Sequence, residues 1–257
     1  MSGGIILKSN REIEIMREAG RLLAEMLAVL KESVRPGMTT LELDDIAVRE
    51  IKNRNAEPSF LGYKGAREAP AFPAVICVSI NDEIVHGIPG PRIIKEGDIV
   101  SIDAGLVYKG FQSDSAVTVP VGAVPDDVLK LIDTTRESLM AGITAACPGG
   151  RIGDISSAVQ GYVESRGFSV VREYVGHGIG RSLHEDPQIP NYGISGKGIP
   201  LKKGMVIAIE PMVNMGDWRT KLAPDYWTVS TLDGSLSAHF EHTVAITENG
   251  PEVLSTL

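Results

Sequence analysis

The sequence predicts an α+β fold of two similar halves that share one mostly antiparallel sheet covered by helices. The first observation behind this prediction is a phrase that occurs twice, as KEGDIVSID at residues 95–103 and as KKGMVIAIE at residues 202–210. The second is the order of elements around each copy, which is helix, Pro-Gly break, helix, strand, His-Gly-Ile and acid-ended strand. We therefore expect one domain over residues 1–257, with duplicated halves at roughly 10–121 and 124–247.

The two copies of the repeated phrase align without a gap. Gly97 and Gly204 are separated by 107 positions, and so are the closing acids, Asp103 and Glu210. A glycine turn followed by an aliphatic run is typical of a buried strand, and here each strand is expected to end on its acid. Because a His-Gly-Ile element precedes each copy, the duplication would bring two acids and two histidines to a shared centre.

In the first half, residues 10–31 carry apolar side chains at spacings of three or four, which predicts an amphipathic helix. Pro36-Gly37 breaks this helix. Thr39, followed three positions later by Glu42, matches a capping box that opens a second helix, to about residue 53. Strands are then predicted at residues 74–80, 98–104 and 111–119.

The second half repeats this order. Residues 125–146 and 151–166 predict two helices, with a break between them at Pro148-Gly149. Strands are predicted at residues 168–175, 205–210 and 237–247. No Ser-rich or Pro-rich linker separates the halves, so the expected strands belong to one shared sheet.

The composition is that of a globular protein. Hydrophobic residues make up 43% of the 257 residues, which is enough for a sizeable core. The formal net charge of −8 argues against a general nucleic-acid binder, which needs a basic face. The sequence shows no secretory signal and no apolar run of about 18 residues, so we expect a cytoplasmic protein without a membrane span. Cys77 and Cys147 could pair, but both lie in or beside apolar runs, and we expect reduced, buried thiols.

Five acid or histidine residues lie within apolar or glycine-rich strands: Asp103, Asp114, His177, Glu210 and Glu241. Burying a lone carboxylate is costly unless a counter-charge is present, and Arg and Lys are scarce around these positions. Any one of the acids could instead face water at a strand end, but the repeat argues against that for the set. Four carboxylates and one histidine suit two divalent ions, with Mn, Fe(II), Co or Zn as the candidates.

An ordered set of motifs runs from about residue 8 to the C-terminus: Ser79-Ile80-Asn81, His86-Gly87-Ile88-Pro89, Ile102-Asp103, Ser113-Asp114, Gly176-His177-Gly178-Ile179-Gly180, Leu183-His184-Glu185-Asp186-Pro187, Ile209-Glu210-Pro211-Met212 and Glu241-His242-Thr243. This set resembles the methionine aminopeptidases of the short bacterial type I form, which have the pita-bread fold. The resemblance implies a metal-dependent hydrolase that removes the N-terminal methionine from nascent proteins and peptides when the second residue is small. It also implies partners that are N-terminal methionine peptides and nascent chains, proximity to the ribosome, and a monomer that binds neither nucleic acid nor membrane.

The resemblance also implies residue roles. The metal ligands would be the five residues above, with Asp114 and Glu241 bridging two ions. The catalytic residues would be His86, which positions the peptide, His184, which stabilises the developing oxyanion, and Glu210, which shuttles a proton. Both histidines would contact substrate, and the methionine side-chain pocket would be lined by Tyr63, Phe72, Cys77 and Trp227.

Three features depart from the family pattern. Eight residues, Lys64 to Ala71, separate Tyr63 from Phe72, where a much shorter turn is expected. Leu183 precedes His184 where an aromatic residue is usual, and His239 stands two positions before Glu241 where an amide residue is usual. These departures bear on the shape of the pocket and leave the five ligand positions unchanged.

Five alternatives remain open at this point. A proline-specific aminopeptidase or dipeptidase of the same fold usually carries a large extra N-terminal domain, yet only 85 residues precede His86. The type II methionine form has a long insertion between its histidine and glutamate ligands, but Glu210 follows His177 by 33 positions. A non-catalytic binding module or a metal-independent structural protein should have lost ligands, and all five are present. The last alternative is a cytosolic hydrolase of another specificity.

Overall fold

A computed structural model describes residues 4–65 and 69–257. Within these ranges there are four helices: α1 (Asn10–Ser33), α2 (Thr40–Asn53), α3 (Asp126–Ala145) and α4 (Ile152–Glu164). The predicted capping box at Thr39 is confirmed, since Thr39 N–H donates to Glu42 Oε2 at 2.7 Å and Glu42 N–H donates to Thr39 Oγ1 at 3.2 Å. Ser9 and Glu12 form the same box at the start of α1.

Fifteen strands are found in the described residues: β1 (Glu57–Pro58), β2 (Ile76–Ile80), β3 (Glu83–Val85), β4 (Ile99–Tyr108), β5 (Phe111–Pro120), β6 (Ser169–Val170), β7 (Gly176–Gly178), β8 (Glu185–Ile189), β9 (Val206–Ile209), β10 (Met212–Asn214), β11 (Thr220–Leu222), β12 (Val229–Thr231), β13 (Ser237–His239), β14 (Glu241–Thr247) and β15 (Gly250–Val253). Nine of them form the main sheet, in the order β1-β4-β5-β14-β9-β7-β8, with β2 beside β4 and β15 beside β14. The two smaller sheets have the orders β13-β10-β6 and β11-β12-β3.

The main sheet joins strands from both halves of the sequence. All strand pairs in the described residues are antiparallel, as predicted. Strand β14 pairs with β5 on one side, where Glu241 is opposite Ala116, and with β9 on the other, where His242 is opposite Ile209. Because β14 lies between β5 and β9, side chains from both halves meet at the centre of the sheet.

The two copies of the repeated phrase begin alike and end differently. Gly97 and Gly204 have φ angles of 87° and 89°, in the left-handed region that favours glycine, so both strands start from the same kind of turn. Glu210 directly follows β9, as expected. Asp103 was expected to end its strand, and this is wrong. Strand β4 continues to Tyr108 because its hairpin with β5 pairs ten residues on each strand.

The helices bury their apolar faces against the sheets. Leu23 of α1 packs in one core cluster with Ile102 of β4, and Leu139 of α3 packs in another with Ile207 of β9. All four side chains are almost completely buried. Burying an aliphatic side chain of this size contributes about 1.5–3 kcal/mol, so these contacts hold the helices on the sheet that carries the acids.

Three local predictions need correction. The strand predicted at 168–175 is reduced to β6, the two residues that pair with β10. The strand predicted at 237–247 is divided at Phe240, because β13 pairs with β10 whereas β14 belongs to the main sheet. Cys77 is buried as expected, but Cys147 is exposed, because it lies in the turn after α3 and not against the core.

Across 4–65 and 69–257, no helix combines the length and the apolar character that a membrane crossing requires.

Candidate active site and metal centre

Three of the five predicted ligands meet at the middle of the main sheet. Asp114 lies in β5, His177 in β7 and Glu241 at the start of β14. One ligand atom from each of them lies within 4.8 Å of the others. The strand order explains this meeting, since only β14 and β9 lie between β5 and β7.

Asp103 and Glu210 adjoin the same three residues. Asp103 lies on β4, which pairs with the strand of Asp114, and the two carboxyl groups are close enough to affect each other's pKa. Glu210 Oε1 lies 3.5 Å from His177 Nε2, and Asp114 Oδ2 lies 3.8 Å from the same nitrogen. The structure therefore brings all five side chains into one cluster. From the spacing in the sequence, only the meeting of Asp103 and Glu210 could be predicted, because these two acids close the repeated segments.

Several oxygens in the cluster have no partner. Within the described residues, Asp103 Oδ1, Asp114 Oδ1 and Glu241 Oε1 are buried and accept no hydrogen bond. The ion pairs of Asp114 and Glu210 in those residues involve histidines, and none involves Lys or Arg. A buried carboxylate oxygen without a partner destabilises the fold, so the cluster has the character of a cation site.

The pKa values of the acids reflect this crowding. Burial raises the pKa of Asp103 to about 7. Burial, followed by the negative charge of neighbouring acids, raises the pKa of Asp114, Glu210 and Glu241 well above the usual range. Acids that hold protons this strongly repel one another when ionised, and a divalent cation would remove that repulsion.

His177 is arranged as a neutral ligand. Its Nδ1 lies 2.9 Å from the carbonyl oxygen of Gly178, so Nδ1–H donates to that oxygen and Nε2 keeps a lone pair directed at the acids. Burial, together with the nearby His184, lowers the pKa of His177 to about 3. Carboxylate oxygens with one neutral imidazole nitrogen are donors that suit divalent Mn, Fe, Co or Zn. The residues present thus fit the metal that the sequence predicts.

A cavity of about 320 Å³ opens beside the acids. The four residues expected to form the methionine side-chain pocket, Tyr63, Phe72, Cys77 and Trp227, all line it. The rings of Phe72 and Trp227 meet edge to face with centroids 5.2 Å apart. Burial raises the pKa of the Cys77 thiol, so this wall stays uncharged. The cavity therefore joins an apolar, aromatic end to an acidic end.

The two expected substrate histidines lie where these ends meet. His184 Nδ1 is 2.6 Å from the hydroxyl of Tyr63, and its ring lies 4.3 Å from that of His177. His86 has a positive φ of 61°, which is uncommon outside glycine and is often found at functional sites. Burial and the nearby His184 lower the pKa of His86 to about 4, so it is neutral near pH 7.

Comparison with known proteins gives the family. The model of metallopeptidase family M24 matches residues 14–248. Methionine aminopeptidase 1 of Bacillus subtilis is 56% identical over 251 residues, which cover 98% of this chain and 99% of that protein. Methionine aminopeptidase of Clostridium perfringens is 54% identical, over 98% of this chain and 99% of that one. The crystal structure of the Thermotoga maritima methionine aminopeptidase superposes with a TM-score of 0.95, at 47% identity, and covers 99% of this chain and all of that one.

The chain belongs to the methionine aminopeptidases of metallopeptidase family M24. Membership confirms the predicted pita-bread fold and divalent metal binding. The relatives match this chain along nearly their whole length, which leaves the proline-specific and type II alternatives without support. The roles of individual residues stay predictions.

Five further residues line the cavity, and none of them was predicted from the sequence. Phe60, Tyr174, Leu222, Tyr226 and Val229 all border it. Tyr174 has a local signal, since it lies two positions before the Gly176–Gly180 motif, and its ring is 5.9 Å from that of His86. Phe60, Tyr226 and Val229 lie within three positions of the predicted wall residues Tyr63 and Trp227, whereas no such neighbour indicates Leu222.

The three departures from the family pattern are all near this site. Leu183 lines the cavity. His239 is buried, its two ring nitrogens have no hydrogen-bond partner within the described residues, and its Nε2 lies 3.8 Å from Glu210 Oε2. Residues 66–68 of the Lys64–Ala71 spacer lie outside the described residues. Of the remainder, Gly65 lines the cavity and the carbonyl oxygen of Pro70 accepts a 2.9 Å hydrogen bond from Trp227 Nε1.

Proposed function

We propose that this protein removes the N-terminal methionine from peptides and nascent chains whose second residue is small, as a single catalytic domain over residues 1–257. The observation that carries the proposal is the cavity with one apolar, aromatic end and one acidic end. A methionine side chain fits the apolar end, and the amino terminus of the same residue then faces the acids. We place this activity in the cytoplasm, on nascent chains near the ribosome, and assign it to a monomer.

The proposed cofactor is a pair of divalent ions, drawn from Mn, Fe(II), Co and Zn. Asp103, Asp114, His177, Glu210 and Glu241 would hold them, with Asp114 and Glu241 shared between the two. Bound ions would supply a water activated for attack and would polarise the scissile carbonyl. The unpartnered oxygens of Asp103, Asp114 and Glu241 support this ligand set.

Glu210 is the proposed proton shuttle. Burial, together with the charge of Asp103, raises the pKa of Glu210 well above its usual range in the metal-free protein, and the proposed cations would lower it again, which leaves a carboxylate that can accept a proton. In the proposed reaction it takes the proton from the attacking water and delivers it to the nitrogen of the leaving amide. The position of Glu210 at the end of β9, beside His177 and His239, keeps that carboxyl group within the cluster.

His184 and His86 are the proposed substrate contacts. His184 would donate a hydrogen bond from Nε2 to the carbonyl oxygen as negative charge develops there, which lowers the barrier because the donor is already in place. His86 lies on the Tyr174 and Trp227 side of the cavity, with its ring 6.3 Å from that of Trp227. From there it would position the peptide near the scissile amide.

The walls of the apolar end explain the choice of methionine. Phe72, Cys77 and Trp227 are each less than a tenth exposed, and they offer polarisable surfaces to a thioether. The requirement for a small second residue follows if the cleft narrows beyond this pocket.

A peptide series tests the proposal. The metal-reconstituted protein should release methionine from Met-Gly, Met-Ala and Met-Ser peptides, with kcat/KM roughly a hundredfold lower for Met-Leu and Met-Phe peptides. An Ala-Pro peptide is the control for the proline-specific alternative and should stay intact. Equal cleavage of Met-Ala and Met-Leu would remove the small-residue rule, and cleavage of Ala-Pro alone would overturn the proposed substrate.

A further inference from the structure

A buried ion pair joins the start of the chain to the turn that carries His184. Lys8 Nζ lies 2.6 Å from Glu185 Oε2 and also donates to the carbonyl oxygen of Ile6 at 3.2 Å. The side chains of Lys8 and Glu185 are only 3% and 8% exposed. Replacing such a pair with apolar residues is often neutral or stabilising, so a buried ion pair is weak evidence of a purely structural role.

Glu185 uses its second oxygen to close the turn around His184. Oε1 of Glu185 accepts a hydrogen bond from the backbone N–H of Ser182 at 3.1 Å. The carboxylate therefore links the residues on both sides of His184, and Lys8 holds the carboxylate in place. Because His184 directly precedes Glu185, it lies inside the turn that this hydrogen bond closes.

The adjacent glycine motif makes room for the pair. A Cβ atom at Gly180 would lie 2.5 Å from Lys8 Cε and 2.6 Å from Glu185 Oε1, which no side chain tolerates without displacing one of them. Gly180 is the last residue of the Gly176–Gly180 motif that begins with the His177 strand. The close approach of Lys8 and Glu185 therefore explains why position 180 is a glycine, which the metal site does not explain.

The backbone of Lys8 is fixed to a second active-site element. Its N–H donates to the carbonyl oxygen of Gly204 at 2.7 Å, and a Cβ atom at Gly204 would lie 2.8 Å from Lys8 O. Gly204 is the turn glycine before β9, the strand that leads to Glu210. Ser9, the next residue, caps α1, so Lys8 directly precedes the capped start of a helix. One residue thus connects the turn of His184 with the strand of Glu210.

We propose that the Lys8–Glu185 ion pair is a positioning device that sets His184 relative to Glu210 and the substrate carbonyl. Neither residue is among the described residues that line the cavity, so neither is proposed to touch substrate. This inference rests on the proposed methionine-releasing activity. Because hydrogen-bond donors act only when correctly placed, a small displacement of His184 would lower kcat with little change in substrate binding.

The test compares Lys8→Met, which keeps an apolar stem, with the double variant Lys8→Met/Glu185→Gln, which leaves no buried carboxylate unpaired. Arg17→Met is the matched control, because Arg17 Nε pairs with Glu252 at 2.7 Å and likewise connects the N-terminal helix with a distant strand, β15. The measurements are the thermal midpoint, kcat and KM on a Met-Ala-Ser peptide, Mn²⁺ affinity by calorimetry, and the imidazole NMR signals of His184 in metal-free protein.

We expect Lys8→Met to lower kcat at least about tenfold with KM changed less than about threefold, to leave Mn²⁺ affinity unchanged, and to shift or broaden the His184 signals. The double variant should regain the thermal midpoint without regaining kcat. Arg17→Met should lower the midpoint alone. Recovery of kcat together with the midpoint in the double variant, or unchanged His184 signals in both Lys8 variants, would overturn the proposal. The NMR readout is independent of activity, so a wild-type protein that released no methionine would refute the proposed function and leave this test in place.

Discussion

The hydroxyl of Tyr63 lies 2.6 Å from Nδ1 of His184, although 121 positions separate the two residues. Burial raises the pKa of the Tyr63 phenol, so the phenol keeps its proton. We infer that this hydroxyl donates a hydrogen bond to Nδ1, because the proposed contact of His184 with the substrate oxygen requires the imidazole hydrogen on Nε2. The hydrogen of the neutral imidazole then sits on Nε2. Tyr63 therefore has two proposed roles: it lines the pocket, and it selects the His184 tautomer that can donate to the substrate.

Removing the phenol hydroxyl should separate these two roles. We expect Tyr63→Phe to lower kcat about 2- to 10-fold, the effect of one hydrogen bond worth about 0.5–1.5 kcal/mol, with little change in KM because the ring remains. Steady-state kinetics on a Met-Ala peptide measures both constants. Tyr226→Phe is the matched control, since Tyr226 lines the same cavity and is more than half exposed. Equal losses in the two variants would contradict the tautomer argument.

His184→Ala should lower kcat by about 10²–10³-fold, the range found when a hydrogen-bond donor to a developing oxyanion is removed. The metal content should stay at the wild-type value, because the proposed partner of His184 is the substrate oxygen. Parallel titrations of bound metal and activity check this. Loss of metal in proportion to loss of activity would make His184 a ligand instead.

Glu241→Ala should remove a shared ligand and abolish turnover. Glu241 is buried at the start of β14, and one of its oxygens has no hydrogen-bond partner among the described residues, as expected of a carboxylate that holds a cation. Glu137→Ala, on the exposed face of α3, should change nothing. Metal analysis and kcat/KM are the measurements. If Glu241→Ala kept more than a tenth of wild-type kcat/KM, a loss below about 1.4 kcal/mol, the bridging role would be wrong.

The sequence predicted those features of the fold and the site that depend on residues close together in the chain. Gly97 and Gly204 start equivalent strands, and the repeat around them is what predicted the meeting of Asp103 and Glu210. The capping box at Thr39 and the ends of the long helices also follow from short-range rules. These features depend on neighbours within one turn or one strand, which the sequence shows directly.

What the sequence could not show depends on pairing between distant segments. The break at Phe240 is set by which strands β13 and β14 join, and no turn residue between 237 and 247 signals it. The contact of Lys8 with Glu185 spans 177 positions, and each residue alone resembles an ordinary surface charge. Leu222 likewise lines the cavity from β11, whose pairing with β12 no local pattern indicates.

The metal-free protein should lose stability as the pH rises above 7. The pKa of Asp103 is raised to about 7 in the folded state, against about 4 when unfolded, and burial with the charge of neighbouring acids also raises those of Asp114 and Glu241 well above their usual range. A raised pKa stabilises the fold while the group is protonated, and that contribution is lost as the pH passes through the folded value. The buried His86 and His177 are neutral in both states above pH 7, so they do not oppose this trend.

Thermal unfolding in a chelator between pH 7 and 8.5 measures this effect. The midpoint should fall over this range, whereas saturating Mn²⁺ should remove most of the fall, because the bound cation replaces the proton as partner of the acids. The increase in midpoint caused by Mn²⁺ should therefore grow with pH. A metal-free midpoint that stays constant or rises would show that the acids are already compensated by the protein.

The most direct test of the proposed catalytic metal centre uses protein that is stripped with a chelator and then titrated with Mn²⁺ or Co²⁺. The measurement is the release of free methionine from a Met-Ala-Ser peptide. The stripped wild type should be inactive, and activity should return with added ion and saturate at a stoichiometry that also gives the number of ions per chain. Glu241→Ala, titrated in the same way, should stay inactive. Methionine release by fully stripped wild type, or equal recovery in Glu241→Ala, would contradict the assignment of this cluster as the catalytic metal centre.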